Sequence, residues 1–244
     1  MRKSVFLLIA VVLFSSHDMY LKFNSFFFQP NSEATLVLVN GTFDESENVI
    51  DRDRMIDASL VGNGNRLQVD TADWSEKDNN TLLNFTTGNA GTWVAGVSTR
   101  PRDFEMTAEK FNDYLKHDGV LDMLKWREEN NALALDAIER YSKHIKAIYQ
   151  VGQKQTDDWK TLLGYPIEFV PMSNPYATHS GHELKVKLLW QGEPLVDQLV
   201  YVDVKAKKGH GHTHHHDHGE DDHDHADNGE HTHNDGDEHH HHSA

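Results

Sequence analysis

Between residues 19 and 98 the chain breaks into short apolar runs, each closed by turn-forming residues, and this rhythm limits the fold more than any other feature. The runs TLVLV (35–39), RLQVD (within 65–70), TLLNFT (81–86) and TWVAGVS (92–98) are rich in β-branched and aromatic residues. Asn40-Gly41, Gly62-Asn63-Gly64-Asn65 and Gly88-Asn89-Ala90-Gly91 stand between them. Runs this short bury a face only by pairing and stacking. The pattern therefore predicts a mainly β chain, with an antiparallel β-sandwich of the immunoglobulin or transthyretin kind over residues 17–102.

After Pro101 the period changes. TAEKFNDYLKHDG (107–119) reads as a short helix stopped at Gly119, and residues 120–152 place Leu121, Leu124, Leu135, Ile138, Ile145 and Ile148 at helical spacings. This predicts a helical insertion over 103–160, with two or three helices ending near Gly152. Strand character then returns in YPIEFVPM and in HELKVKLLW (182–190), where Leu184, Val186, Leu188 and Trp190 alternate with polar residues. QGEPLVDQ reads as a turn and LVYVDVKAK (199–207) as the partner strand. Residues 161–208 are thus expected to open a second β-sandwich. A two-stranded start is marginal alone, so this sheet is expected to be incomplete or to take strands from elsewhere.

Residues 209–244 differ in kind. They hold ten Asp and Glu, no Lys or Arg, and fourteen of the nineteen histidines. The formal charge of −16 resides mostly there: the rest of the chain has 29 acidic against 23 basic residues, or −6. No basic footprint for nucleic acid exists. With no apolar period to offset ordering entropy, the tract is expected to be disordered without a ligand. Its donors are imidazoles at His210, His212, His214, His215, His216, His218, His223, His225, His231 and His233, then a run from His239 to His242. The final run alone resembles an engineered tag. The alternation with Asp, Glu, Gly and Thr before it does not, and predicts binding of transition metals such as nickel, cobalt, zinc or copper.

The other end has the layout of an export signal. Arg2 and Lys3 precede ten apolar residues (5–14) and two serines. That run is too short for a bilayer, which needs about 20 helical residues. Removal of residues 1–16 would send the protein to the periplasm or outside the cell. It would also leave His17 first, with its α-amine and imidazole Nδ1 able to chelate one metal. With no cysteine in the chain, neither disulfides nor thiolates contribute. A third donor must come from the remaining histidines. His117 and His144 lie among charged residues of the expected helices and read as solvated. His179 and His182 are three apart in ATHSGHE and could share a metal, although an ordinary polar loop is the plainer reading. Asp18 is a ligand, a support for the His17 ring, or a plain cap. The five tryptophans read as core anchors, and Glu128-Glu129 and Asp157-Asp158 as solvated pairs. No G-x-S-x-G, P-loop, dinucleotide fingerprint or H-E-x-x-H occurs, so no catalytic set and no enzyme is expected.

HDMYLK after the signal, AGTWVAGVSTRPRDFEM, FNDYLKHDGVLDML, ERYSKHIKAIYQVG and LGYPIEFVPMSNPYATHSGHELKVKLLWQGEPLVDQLVYV together resemble the periplasmic nickel-uptake transporter family over residues 17–207. The resemblance implies an exported binding protein with sandwich modules around a helical segment, serving nickel or cobalt uptake, with His17 as the position carried over. It departs at the C-terminal end, where the family's second sandwich continues through further strands. The expected function is transition-metal binding for nickel or cobalt uptake or for metal buffering, with divalent metal ions and a membrane metal transporter as partners. Two alternatives stand beside it. One is a copper oxidoreductase with His17 in a histidine brace, which needs a second fixed histidine. The other is a structural sandwich module with an incidental histidine loop.

Overall fold

The computed structural model describes residues 18–179 and 181–203. The expected signal (1–16), His17 and the whole tract 209–244 lie outside the described residues. The first half of the chain forms β1 (Asp18–Phe23), β2 (Phe27–Phe28), β3 (Glu33–Gly41), β4 (Met55–Gly62), β5 (Asn65–Gln68), β6 (Trp74–Lys77), β7 (Asn80–Thr86), β8 (Gly91–Thr99) and β9 (Arg102–Met106). Two helices follow, α1 (Ala108–His117) and α2 (Leu121–Glu129). The chain then forms β10 (Ala137–Tyr141), β11 (His144–Val151), β12 (Ile167–Pro171), β13 (Val186–Trp190) and β14 (Glu193–Pro194). The fold is mainly β, with antiparallel sheets and two short helices. Among the described residues no helix is long and apolar enough to cross a membrane.

Two sheets carry the core. One has the order β1-β3-β7-β6 and the other β2-β11-β8-β4-β5, antiparallel except where β2 runs parallel to β11. Alternation along each strand sends one set of side chains inward. Leu21 and Phe23, Leu36 and Leu38, and Leu83 from the first sheet join Leu60, Trp93, Val97 and Val151 from the second in one buried cluster. Tyr149 lies at its centre, fully enclosed, with Phe23, Phe28 and Phe85 around it at ring centroid distances of 4.8, 5.8 and 6.2 Å. Two-residue turns set the register at Asn63-Gly64, Asp78-Asn79 and Gln191-Gly192, all with positive φ. Trp74 and Trp93 are core anchors as expected. Trp126 and Trp190 are not, being 54% and 47% exposed.

The helical insertion is shorter than periodicity predicts. Helix α1 ends before Gly119, whose φ of +75° only glycine adopts readily, but residues 137–151 are strands. HIKAIYQV alternates with period two and pairs with the central strand β8 along its whole length. Ile145 and Ile148, three apart, mimic a helical face; Ile145 packs into the sandwich and Ile148 onto the opposite face of the sheet. Strand β11 is covered on both sides, and a doubly covered strand scatters its apolar residues over both phases. Arg127, 5% exposed, fastens the two helices: it donates to Asn112 Oδ1 at 2.8 Å and to the Leu135 carbonyl at 2.6 Å.

The expected partner strand at 199–207 is also corrected. The turn at Gln191-Gly192 closes the hairpin at once, setting Glu193 opposite Trp190, so β14 takes the place beside β13. Residues 195–203 form no strand, and 204–207 lie outside the described residues. The region contributes a three-stranded sheet, β12-β13-β14, in which Phe169, Val186 and Trp190 remain about half exposed.

Candidate functional site

The outward face of the five-stranded sheet carries a row of polar side chains, of which Ser59 and Ser98 are buried. Period two places Asp57 and Ser59 on β4, Arg66 and Gln68 on β5, Ser98 on β8, and His144 and Lys146 on β11 along that face. Residues 155–178 cross it as a strap. Gly96 makes room: a Cβ there would collide with Leu163 and lie 2.6 Å from the Tyr165 hydroxyl. Leu163 and Tyr165 instead pack on Val61 and Val94 as a second apolar cluster.

Every charge under the strap has partners. Glu168 accepts the backbone N–H groups of Leu163, Gly164 and Tyr165 at 3.0, 2.8 and 2.9 Å, and Lys146 Nζ approaches to 2.7 Å. Burial raises the Glu168 pKa, but Lys146 and the N–H donors outweigh it and hold the carboxyl below its ordinary value. Asp57 accepts from the Tyr165 hydroxyl at 2.5 Å, Ser59 at 2.7 Å and Arg66 at 2.8 Å. Burial pushes Asp57 up as well, and these partners bring it below the usual carboxylate range. Asp158, expected to be solvated, accepts the N–H groups of Asn63 and Gly64 at 3.0 and 2.9 Å and so clamps the β4–β5 turn.

His144 belongs to this network. Its Nδ1 meets Ser98 Oγ and its Nε2 meets Ser142 Oγ, both at 2.9 Å, and the ring lies 5.8 Å from that of Tyr165. Burial lowers its pKa below the ordinary value, with Glu168 opposing. The reading of His144 as a solvated helical histidine is therefore corrected: it faces the strap from strand β11, whose pairing with β8 sets that orientation. Ser98 is 2% exposed, so its hydroxyl meets the His144 ring away from solvent, beside the Tyr165 ring of the strap.

Of the histidines expected to hold metal, His179 and His182 are the two among the described residues. Asp18, next to His17, opens β1 opposite Gly41 and accepts the Tyr20 hydroxyl at 3.0 Å. Lys143 and Arg54 stand close by: burial depresses the Lys143 amine, Asp18 opposes that shift, and Arg54 adds to it. His117 is 80% exposed and bonded to Asp118 at 2.8 Å. His179 and His182 are exposed on one turn, their ring centroids 6.1 Å apart. His210 to His233 lie outside the described residues. Among the described residues no three His, Asp or Glu side chains converge on a point that could hold a metal ion. A cleft of about 660 Å³ beside β1 and β3 is lined by Asn24, Thr35, Asp44, Asp78 and Asn80. Lys22 also lines it, and among the described residues the lining includes no imidazole.

No curated protein and no solved structure matches the chain. Residues 14–235, spanning the sandwich, the helices, the strap and most of the histidine tract, match the family described as "Domain of unknown function (DUF4198)". The chain belongs to the DUF4198 family.

Proposed function

We propose that the protein is an exported, non-enzymatic transition-metal-binding protein that gathers nickel or cobalt for uptake, or buffers it, next to a membrane metal transporter. One observation carries this reading. Fourteen imidazoles and ten carboxylates occur within residues 209–244 without a single Lys or Arg. Imidazole selects borderline divalent ions over magnesium and calcium, and the carboxylates concentrate cations near it. Many weak sites in one segment raise the local supply of metal for any tighter site on the same chain. His17, once exposed by removal of residues 1–16, is the proposed tighter site, because its α-amine and ring chelate together. The resemblance to periplasmic nickel-uptake proteins supports nickel or cobalt over zinc and copper as the cargo.

Native mass spectrometry of the exported protein tests the reading in one measurement. It should report a chain beginning at His17 that carries several nickel or cobalt ions when these are supplied. A protein that retains residues 1–16, or takes up no transition metal at neutral pH, would refute the proposal.

A further inference from the structure

The four histidines among the described residues divide sharply by what their ring nitrogens do. His144 spends both on serines, and His117 holds Asp118. Among the described residues, the rings of His179 and His182 make no hydrogen bond and no ion pair, and they lie beside each other with centroids 6.1 Å apart. Both are exposed, yet the turn that carries them is tied down at each end.

On the N-terminal side, Asn174 is 9% exposed and donates to Thr92 Oγ1 at 3.0 Å, while its Oδ1 accepts the Tyr176 N–H at 2.9 Å. The Tyr176 hydroxyl donates to the Ile148 carbonyl at 2.7 Å, and its ring meets Phe27 edge-on at 5.0 Å. On the C-terminal side, the Lys185 carbonyl accepts the Met172 N–H at 2.8 Å, just before β13. Between these anchors the His182 N–H donates to the His179 carbonyl at 3.1 Å, and Gly181 supplies the positive φ of +90° that folds the turn back. The anchors on either side and the His182–His179 backbone bond bring the two imidazoles to one place on the surface.

We infer that His179 and His182 form a two-imidazole site for one borderline divalent ion, separate from the histidine tract and open to solvent at its other coordination positions. Metal–nitrogen bonds of about 2.1 Å would bring the ring centroids to roughly 4.5–5.5 Å. The observed 6.1 Å is reached from there by modest rotation of the two side chains. Two neutral nitrogen donors without a carboxylate in the pair favour nickel, copper or zinc over magnesium or calcium. Water in the remaining positions makes the ion easy to exchange. That suits a station from which metal is passed on, more than a permanent structural site. This deepens the metal-binding proposal and rests on it for the class of ion.

Carbethoxylation footprinting of the full-length protein tests the inference, because a metal-bound imidazole nitrogen cannot react. Trypsin releases residues 161–185 as one peptide that contains His179 and His182 and none of the tract. With nickel at ten times its dissociation constant, modification of both rings should slow about tenfold, as expected for sites roughly nine-tenths occupied. Magnesium should leave the rate unchanged. The same nickel protection should persist in a full-length variant with every histidine from His210 to His242 replaced by asparagine. In that variant His179→Asn should restore the reactivity of His182. Unprotected rings in a protein whose tract still takes up nickel would overturn this site and leave the metal-binding proposal standing. Protection that vanishes with the tract histidines would also overturn it, since the pair would then be only an accessory of the tract. A full-length protein that binds no nickel anywhere would overturn both.

Discussion

Glu168 joins a loop, a strand and a charge through one carboxylate. Its oxygens serve three backbone N–H groups and Lys146, and the two side chains of the pair are only 5% and 10% exposed. Glu168→Gln keeps the shape but turns an amide NH₂ toward N–H donors and leaves Lys146 charged without a counterion. The expected loss is about 3 kcal/mol, typical of a buried pair broken from one side. Urea denaturation measures it, and a loss below about 0.5 kcal/mol would place the pair in the solvated class. Because the folded pKa lies below the ordinary 4.5, this contribution is complete above that pH and is lost as pH falls through the lower folded value. His144 acts nearer neutrality. Burial keeps its folded pKa below the ordinary 6.5, so on acidification the unfolded chain binds the proton first and stability declines once pH drops below that value. In metal-free buffer, thermal midpoints from pH about 7.5 to about 5 should fall for the native protein and fall less for His144→Gln. Parallel curves would show that the ring titrates alike in both states.

Elements bracketed by turn residues were legible from sequence, and those without such punctuation were not. TLVLV, TLLNFT and TWVAGVS lie between Asn-Gly or Gly-rich turns and appear as β3, β7 and β8. Helix α1 was legible through Gly119. Strands β10 and β11 have no glycine or proline between or within them, so nothing local breaks the false helical phase of Ile138, Ile145 and Ile148. Their identity comes from pairing with β9 and β8, which are distant in the chain. Glu168 shares the difficulty at the site: its partners are backbone groups and one lysine from another element, and neither leaves a motif. The free pair His179 and His182 was visible as a spacing, but its lack of competing partners was visible only in the fold. Gly96 shows how the strap depends on a single atom. Gly96→Ala would set a methyl group against Leu163 and the Tyr165 hydroxyl, lifting the strap from β8 at a cost of about 1–3 kcal/mol. The expected signature is a lower denaturation midpoint together with faster proteolysis between residues 155 and 178. An unchanged midpoint would mean that the strap shifts sideways without loss.

For the whole molecule the decisive contrast is electrostatic. Near neutral pH the carboxylates of residues 209–244 carry a formal −10, against −6 for everything before them. The tract therefore draws cations while its imidazoles are mostly neutral and free to bind. Acidification reverses both conditions together. At pH about 5.5 roughly nine-tenths of imidazoles with a pKa near 6.5 are protonated, which removes the donors as protons and metal compete for the same lone pair. With fourteen histidines against ten acids, the same protons turn the tract net positive, so attraction becomes repulsion. Metal release should thus be steeper with pH than one imidazole allows. Calorimetric titration with nickel at pH about 7.5 and about 5.5 should show the bound stoichiometry of the full-length protein falling by more than half. The variant with asparagine at every histidine from His210 to His242 should bind far fewer ions at the higher pH and show a much shallower pH dependence. Its thermal midpoint without metal should match that of the native protein, since the tract has no apolar period to contribute to a core. If that variant bound as many ions as the native chain, the tract would not be the collector, and metal binding would have to be located in the folded part of the molecule.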